Sequence, residues 1–86
     1  MKEDARERSA KYMSTTEETL KSLRKKQLPI PVNESSIDKV LELVQGYVKD
    51  ARHYVDSKPV TSLACVAYAE GLLDALKFLQ LVDLQT

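Results

Sequence analysis

Val60-Thr61-Ser62-Leu63-Ala64-Cys65-Val66-Ala67-Tyr68-Ala69-Glu70-Gly71-Leu72-Leu73-Asp74-Ala75-Leu76 opens the most apolar stretch of the chain, which runs on to Leu84. Glu70, Asp74, Lys77 and Asp83 interrupt it, whereas a membrane-spanning helix wants ~18 or more apolar residues in a row. Read at 3.6 residues per turn, the stretch is apolar over most of its circumference. Ala64, Ala67, Gly71 and Ala75 form a stripe of small residues, Leu72, Leu76 and Leu79 a bulky face on the far side, and Val66 and Leu73 fill in between. A helix apolar nearly all round must be covered on several sides. Gly71 costs ~1 kcal/mol relative to alanine inside a helix, so close approach of another helix along the Ala64-Ala67-Gly71-Ala75 seam is the expected compensation.

Working outward, Asp56-Ser57-Lys58-Pro59 breaks the chain before this helix, with Ser57 as the expected cap and Pro59 tolerated in the first turn. Leu28-Pro29-Ile30-Pro31-Val32-Asn33 is an earlier break, because each proline pushes its predecessor out of helical geometry. Between them, Ile37, Val40, Leu41, Val44, Val48, Ala51 and Val55 fall on one helical face, widened by Leu43, Tyr47 and Tyr54. Ser35 with Asp38 resembles a capping box at its start. The first segment carries a thinner stripe of Ala5, Tyr12, Met13, Leu20 and Leu23. Ser14-Thr15-Thr16-Glu17-Glu18 within it holds two overlapping capping-box patterns, compatible with a break but also with one continuous helix bearing a polar patch. No stretch alternates like a strand. The expected fold is all-α: one domain over residues 1–86, with helices at about 3–27, 35–57 and 59–82 in an up-down-up antiparallel three-helix bundle. A core of this size gives marginal stability. A homodimer that buries the surplus apolar face of the third helix, with or without the first, is therefore expected.

Composition narrows the function. The 86 residues are 43% apolar and 30% charged, with two glycines and three prolines, which excludes a disordered or collagen-like chain. Thirteen basic and thirteen acidic residues cancel, which argues against a dedicated nucleic-acid binder. The basic run Lys21, Arg24, Lys25 and Lys26 has no interleaved aromatics for base stacking and suits a helix C-terminus. The charged opening residues and the interrupted apolar stretch lead us to expect a cytoplasmic protein with no signal peptide and no membrane partner. The single Cys65 fits a reducing compartment as a small buried residue.

Few residues carry the makings of chemistry. Glu70 and Asp74, at i and i+4, put two carboxylates on one helix face beside Ala67 and Gly71. Three readings apply: a solvated strip in which Lys77 pairs with Asp74, a contact with a basic side chain from another helix, or a divalent cation. The last lacks the i, i+3 histidine that helical di-metal sites add. Asp50, beside Tyr47 and Tyr54, is a surface aspartate, an acceptor for a tyrosine hydroxyl, or a neighbour of the Glu70/Asp74 pair across a seam. His53 falls on the outward face with no orienting partner or nucleophile, and Gly46 and Gly71 are isolated rather than part of a phosphate loop. No catalytic residue, metal ligand or cofactor is expected from this pattern.

Tyr47-Val48-Lys49-Asp50-Ala51-Arg52-His53-Tyr54 and Ala64-Cys65-Val66-Ala67-Tyr68-Ala69-Glu70-Gly71-Leu72-Leu73-Asp74-Ala75-Leu76 resemble a small archaeal helical family, domain of unknown function 357. The resemblance covers nearly the whole chain, and Tyr-Ala-Glu-Gly-Leu-Leu-Asp-Ala is its most specific part. It implies a short three-helix intracellular protein, brings no established catalytic residue, and through relatives joined to nucleotidyltransferase-like domains suggests an accessory role. A fainter likeness to the helical nucleotide-binding domains of higher eukaryotes and prokaryotes lacks their Arg-x4-6-His ribonuclease motif, since Arg52 and His53 are adjacent. Because they stand in the motif, Asp50, Tyr68, Glu70 and Asp74 are the candidate ligand-binding residues, with Gly71 assigned to packing. Two functions follow as expectations. The first is a non-enzymatic module that binds a protein partner or itself. The second is an accessory domain that holds a cation, nucleotide or basic group through Asp50, Glu70 and Asp74.

Overall fold

The computed structural model describes residues 5–84, so the start of the expected first helix at residues 3 and 4 lies outside the described residues. Three helices and no strand are found among them: α1 (Ala5–Ser22), α2 (Glu34–Tyr54) and α3 (Pro59–Phe78). The all-α class follows from the periodicity read above. The chain divides between Pro31 and Val32 into two compact units, the first holding α1 and the second α2 and α3.

α1 runs without interruption through Ser14-Thr15-Thr16-Glu17-Glu18, so the two capping-box patterns cap nothing. The hydroxyls turn back onto the helix instead. Thr15 Oγ1 donates to the Lys11 and Tyr12 carbonyls at 3.0 and 3.1 Å, and Thr19 Oγ1 to the Thr15 carbonyl at 3.0 Å. Ser22 Oγ does the same to the Glu18 and Thr19 carbonyls at 3.3 and 3.2 Å, and the helix stops there, five residues short of the expected end. Such back-bonding competes with helix propagation, and α1 has no buried residue. Of the basic run only Lys21 lies in the last turn; Arg24, Lys25 and Lys26 follow the helix rather than ending it.

The cap of α2 falls two residues before the expected Ser35, and the helix starts at Glu34. Asn33 caps it, its Oδ1 accepting from the Ser36 N–H at 2.9 Å and from the Ser36 hydroxyl at 3.2 Å. Val32, just before the cap, and Ile37, in the first turn, line one apolar hollow, the arrangement of a hydrophobic staple. The cap falls on Asn33 because asparagine extends an acceptor from an extended backbone (φ −112°, ψ 167°) and leaves Ser35 free to be helical.

α2 and α3 form an antiparallel hairpin joined by residues 55–58. Ala51 meets Ser62, Tyr47 meets Tyr68, and Ile37 and Val40 share a hollow with Leu72 and Leu76, so the two helices run in opposite directions. Pro59 occupies the first turn of α3 as expected, but the cap residue is Lys58 and not Ser57, and no side chain caps the helix. The Lys58 N–H instead closes onto the Tyr54 carbonyl at 2.8 Å, and its Nζ lies 5.7 Å from the centre of the Tyr54 ring.

α3 ends at Phe78, short of residue 82, in a Schellman turn. The Leu81 N–H reaches the Leu76 carbonyl at 2.9 Å and the Gln80 N–H the Lys77 carbonyl at 3.0 Å. Gln80 takes the left-handed conformation (φ 59°) that this turn requires and that glycine adopts without strain. Leu81 then folds back over Leu76 beside Leu79.

The hairpin core is thin. Val44, Ala51, Ala69 and Leu76 are its buried apolar residues, with Ser62 the one buried polar side chain among the described residues. Tyr47, Tyr54, Cys65, Val66, Leu72 and Leu73 flank them half-buried. The seam on α3 therefore follows the heptad Ser62, Ala69, Leu76, and α2 does not pack on the small-residue stripe. Ala64, Ala67, Gly71 and Ala75 are exposed, and a β-carbon added at Gly71 would meet nothing within 4 Å. The physical reason is area. The face carrying Val66, Leu72, Leu73 and Leu76 offers α2 more apolar surface than alanines and a glycine do, at ~25 cal/mol per Å² buried.

Candidate interaction site on the third helix

With α2 on the Ser62-Ala69-Leu76 side, the opposite side of α3 carries Val60, Leu63, Ala64, Ala67, Gly71, Ala75 and Phe78 at helical spacing. This far face is open and largely apolar, with the exposed carboxylate of Asp74 set into it between Leu63 and Ala67. Phe78 is 85% exposed, Leu63 69% and Val60 46%, while Tyr68 at 50% forms one flank. Its centre, at Ala67 and Gly71, is low enough for another backbone to come close.

The expected polar residues do not converge: Asp74 lies on this face, Glu70 at its edge and Asp50 on α2. Asp74 is exposed and bonded by Lys77 Nζ at 3.3 Å, the i, i+3 pairing foreseen for a solvated strip. Glu70 is exposed one turn before it. Asp50 lies on the outer side of α2, in a shallow hollow with Glu42, Leu43, Gly46 and Tyr47. The hairpin register, fixed by the Ser62–Ala51 contact, sets Asp50 level with the first turns of α3. Glu70 lies about seven residues further on, or ~10 Å along the axis. Asp50 therefore does not join the Glu70/Asp74 pair across the seam. Among the described residues no group of three or more His, Cys, Asp or Glu side chains is placed to hold a metal ion. His53 is exposed, its ring edge-on to Tyr54 at 4.7 Å. Cys65 is free and half-buried.

Two contacts escaped the reading of the residues. Ser62 Oγ donates to the Ala51 carbonyl at 2.7 Å in the buried seam, tying α3 to the backbone of α2. The rings of Tyr47 and Tyr68 meet edge to face, with centroids 4.5 Å apart and planes at 83°. Tyr68 thus supports the hairpin through this ring contact while about half of it stays exposed. The seven-residue spacing of Ser62, Ala69 and Leu76 was the signal available for the seam. It was masked because serine and alanine do not stand out in a helix that is apolar over most of its circumference.

The family model for proteins of unknown function designated DUF357 matches residues 11–82. The chain belongs to this family. The match takes in α2 and α3 whole and the larger part of α1, so the Tyr68-Ala69-Glu70-Gly71-Leu72-Leu73-Asp74-Ala75 motif lies inside it. No curated protein and no solved structure matches the chain. Among the described residues no helix is long and apolar enough to cross a membrane.

Proposed function

We propose that this DUF357 protein is a non-enzymatic interaction module that pairs a helix of a protein partner, or of a second copy, with the far face of α3. The observation that carries the reading is the mismatch between α3 and its neighbour. The helix is apolar over most of its circumference, α2 covers one side, and Leu63 and Phe78 stay largely exposed on the other. A contiguous apolar face of this kind on a small protein is a binding surface in want of a partner. The small residues at its centre suit a helix, which needs close backbone approach along a narrow stripe. Half-buried Cys65, unpaired, supports a reducing compartment such as the cytoplasm.

The test is comparative capture from cross-linked native cells, with the full chain against an Ala67→Glu/Phe78→Ser variant. Both residues are exposed, so circular dichroism should show the helices retained. Proteins held through the far face should be recovered about tenfold less by the variant, since a charge at the centre and a lost aromatic anchor cost well over 1.4 kcal/mol. Equal recovery by both chains contradicts the reading.

A further inference from the structure

The far face of α3 has a size pattern that reads nearly the same in both directions. Val60 and Leu63 stand at one end, Phe78 at the other, and Ala64, Ala67, Gly71 and Ala75 lie between, with Asp74 the one charged residue among them. The midpoint falls near Ala69. An identical helix laid antiparallel about that midpoint brings Ala67 against Gly71 of the second copy, and Gly71 against its Ala67. Phe78 then lies over Val60 at each end. This is the self-complementarity that a two-fold interface demands, where the same patch serves both subunits. A parallel copy would instead align Asp74 with Asp74 and set the two helix dipoles side by side in the same sense.

The area is sufficient. α3 has 20 residues, giving a face ~30 Å long. With Phe78, Leu63, Tyr68 and Val60 at 85, 69, 50 and 46% exposure, it offers about 600 Å² per copy, since a fully buried aromatic alone covers ~150–250 Å². Two copies bury about 1,200 Å², at the lower edge of stable specific interfaces. Resting on the reading of this face as a helix-pairing surface, we propose that its occupant is a second copy of this chain, docked α3 on α3 in antiparallel orientation. Two hairpins then make a four-helix layer in which both α3 helices are central. The steep approach at Ala67 and Gly71 explains what a glycine does in mid-helix when α2 is nowhere near it.

The experiment uses full chains with Cys65→Ala, so that an introduced thiol is the only one. Chains carrying Ala67→Cys are mixed with chains carrying Gly71→Cys and oxidised mildly, and the mass of the unmodified chain is measured by light scattering. Antiparallel pairing predicts a mass of two chains at high micromolar concentration. It also predicts a disulfide between the two variants that forms faster than either variant links to itself, because only that pair comes within the ~4.4–6.8 Å Cα separation a disulfide needs. A mass of one chain throughout that range overturns the second copy as occupant. Faster self-linking of Gly71→Cys overturns the antiparallel arrangement, and a two-chain mass that survives Ala67→Glu overturns the use of this face. A one-chain mass leaves the module reading to its own capture comparison, so the two failures are told apart.

Discussion

Gln80, two residues past the end of α3, is where the described backbone is least at ease. Its φ of 59° lies in the left-handed region, and the two hydrogen bonds that close the Schellman turn fix it there. A glutamine in that region carries a steric cost of ~1 kcal/mol that glycine lacks. Gln80→Gly should therefore stabilise the hairpin by about 0.5–1 kcal/mol, raising Tm by a few degrees for a unit of this size. Thermal melts followed by circular dichroism check this, and an unchanged or lowered Tm means the turn is not held as described. Ser62 shows the opposite strategy at the same scale. A buried hydroxyl in an apolar seam is tolerable only when bonded, and the Ala51 carbonyl takes it at 2.7 Å. Neither residue announced itself, since an exposed-looking glutamine and a serine among alanines carry no mark of the backbone geometry they serve.

At the scale of elements, α2 and α3 were legible and α1 was only partly so. The α2 stripe through Ile37, Val40, Val44 and Ala51 does face α3, because its apolar and polar sides differ sharply. α3 offered no such contrast. Which of its faces would meet α2 depends on relative apolar area, and the small-residue stripe, read as a seam, is turned away from that helix. α1 has the weakest stripe and no buried residue, and it ends at Ser22, well before the prolines downstream. The candidate site was legible as residue types and not as an assembly. The i, i+4 spacing of Glu70 and Asp74 is visible in the chain, but the register that keeps Asp50 away from them is a property of the hairpin. Gly71→Ala makes a sharp prediction here. On the isolated hairpin the added methyl meets nothing, so it should stabilise α3 by ~0.5–1 kcal/mol through helix propensity. In the antiparallel pair it wedges the closest point of approach. Melts at low concentration should rise while the dissociation constant of the pair weakens, and a variant that strengthens both would contradict close contact at Gly71.

For the whole molecule, the hairpin's small core frames the question. Val44, Ala51, Ala69 and Leu76 are few buried residues for a helix pair, and proteins of this size lean on association for stability. A partner that binds only the folded chain raises its stability by mass action, so the proposed pairing through the far face of α3 would tie folding to assembly. That coupling distinguishes this account from one in which Glu70, Asp74 and Asp50 form a ligand site, which would leave Leu63 and Phe78 in water. Hydroxyl-radical footprinting of the native full chain reads those two side chains directly as the concentration is raised about a hundredfold. Burial of the face predicts that labelling of Phe78 and Leu63 falls severalfold while that of His53, on the outer side of α2, stays constant. Equal labelling of Phe78 at both ends of the range would contradict it.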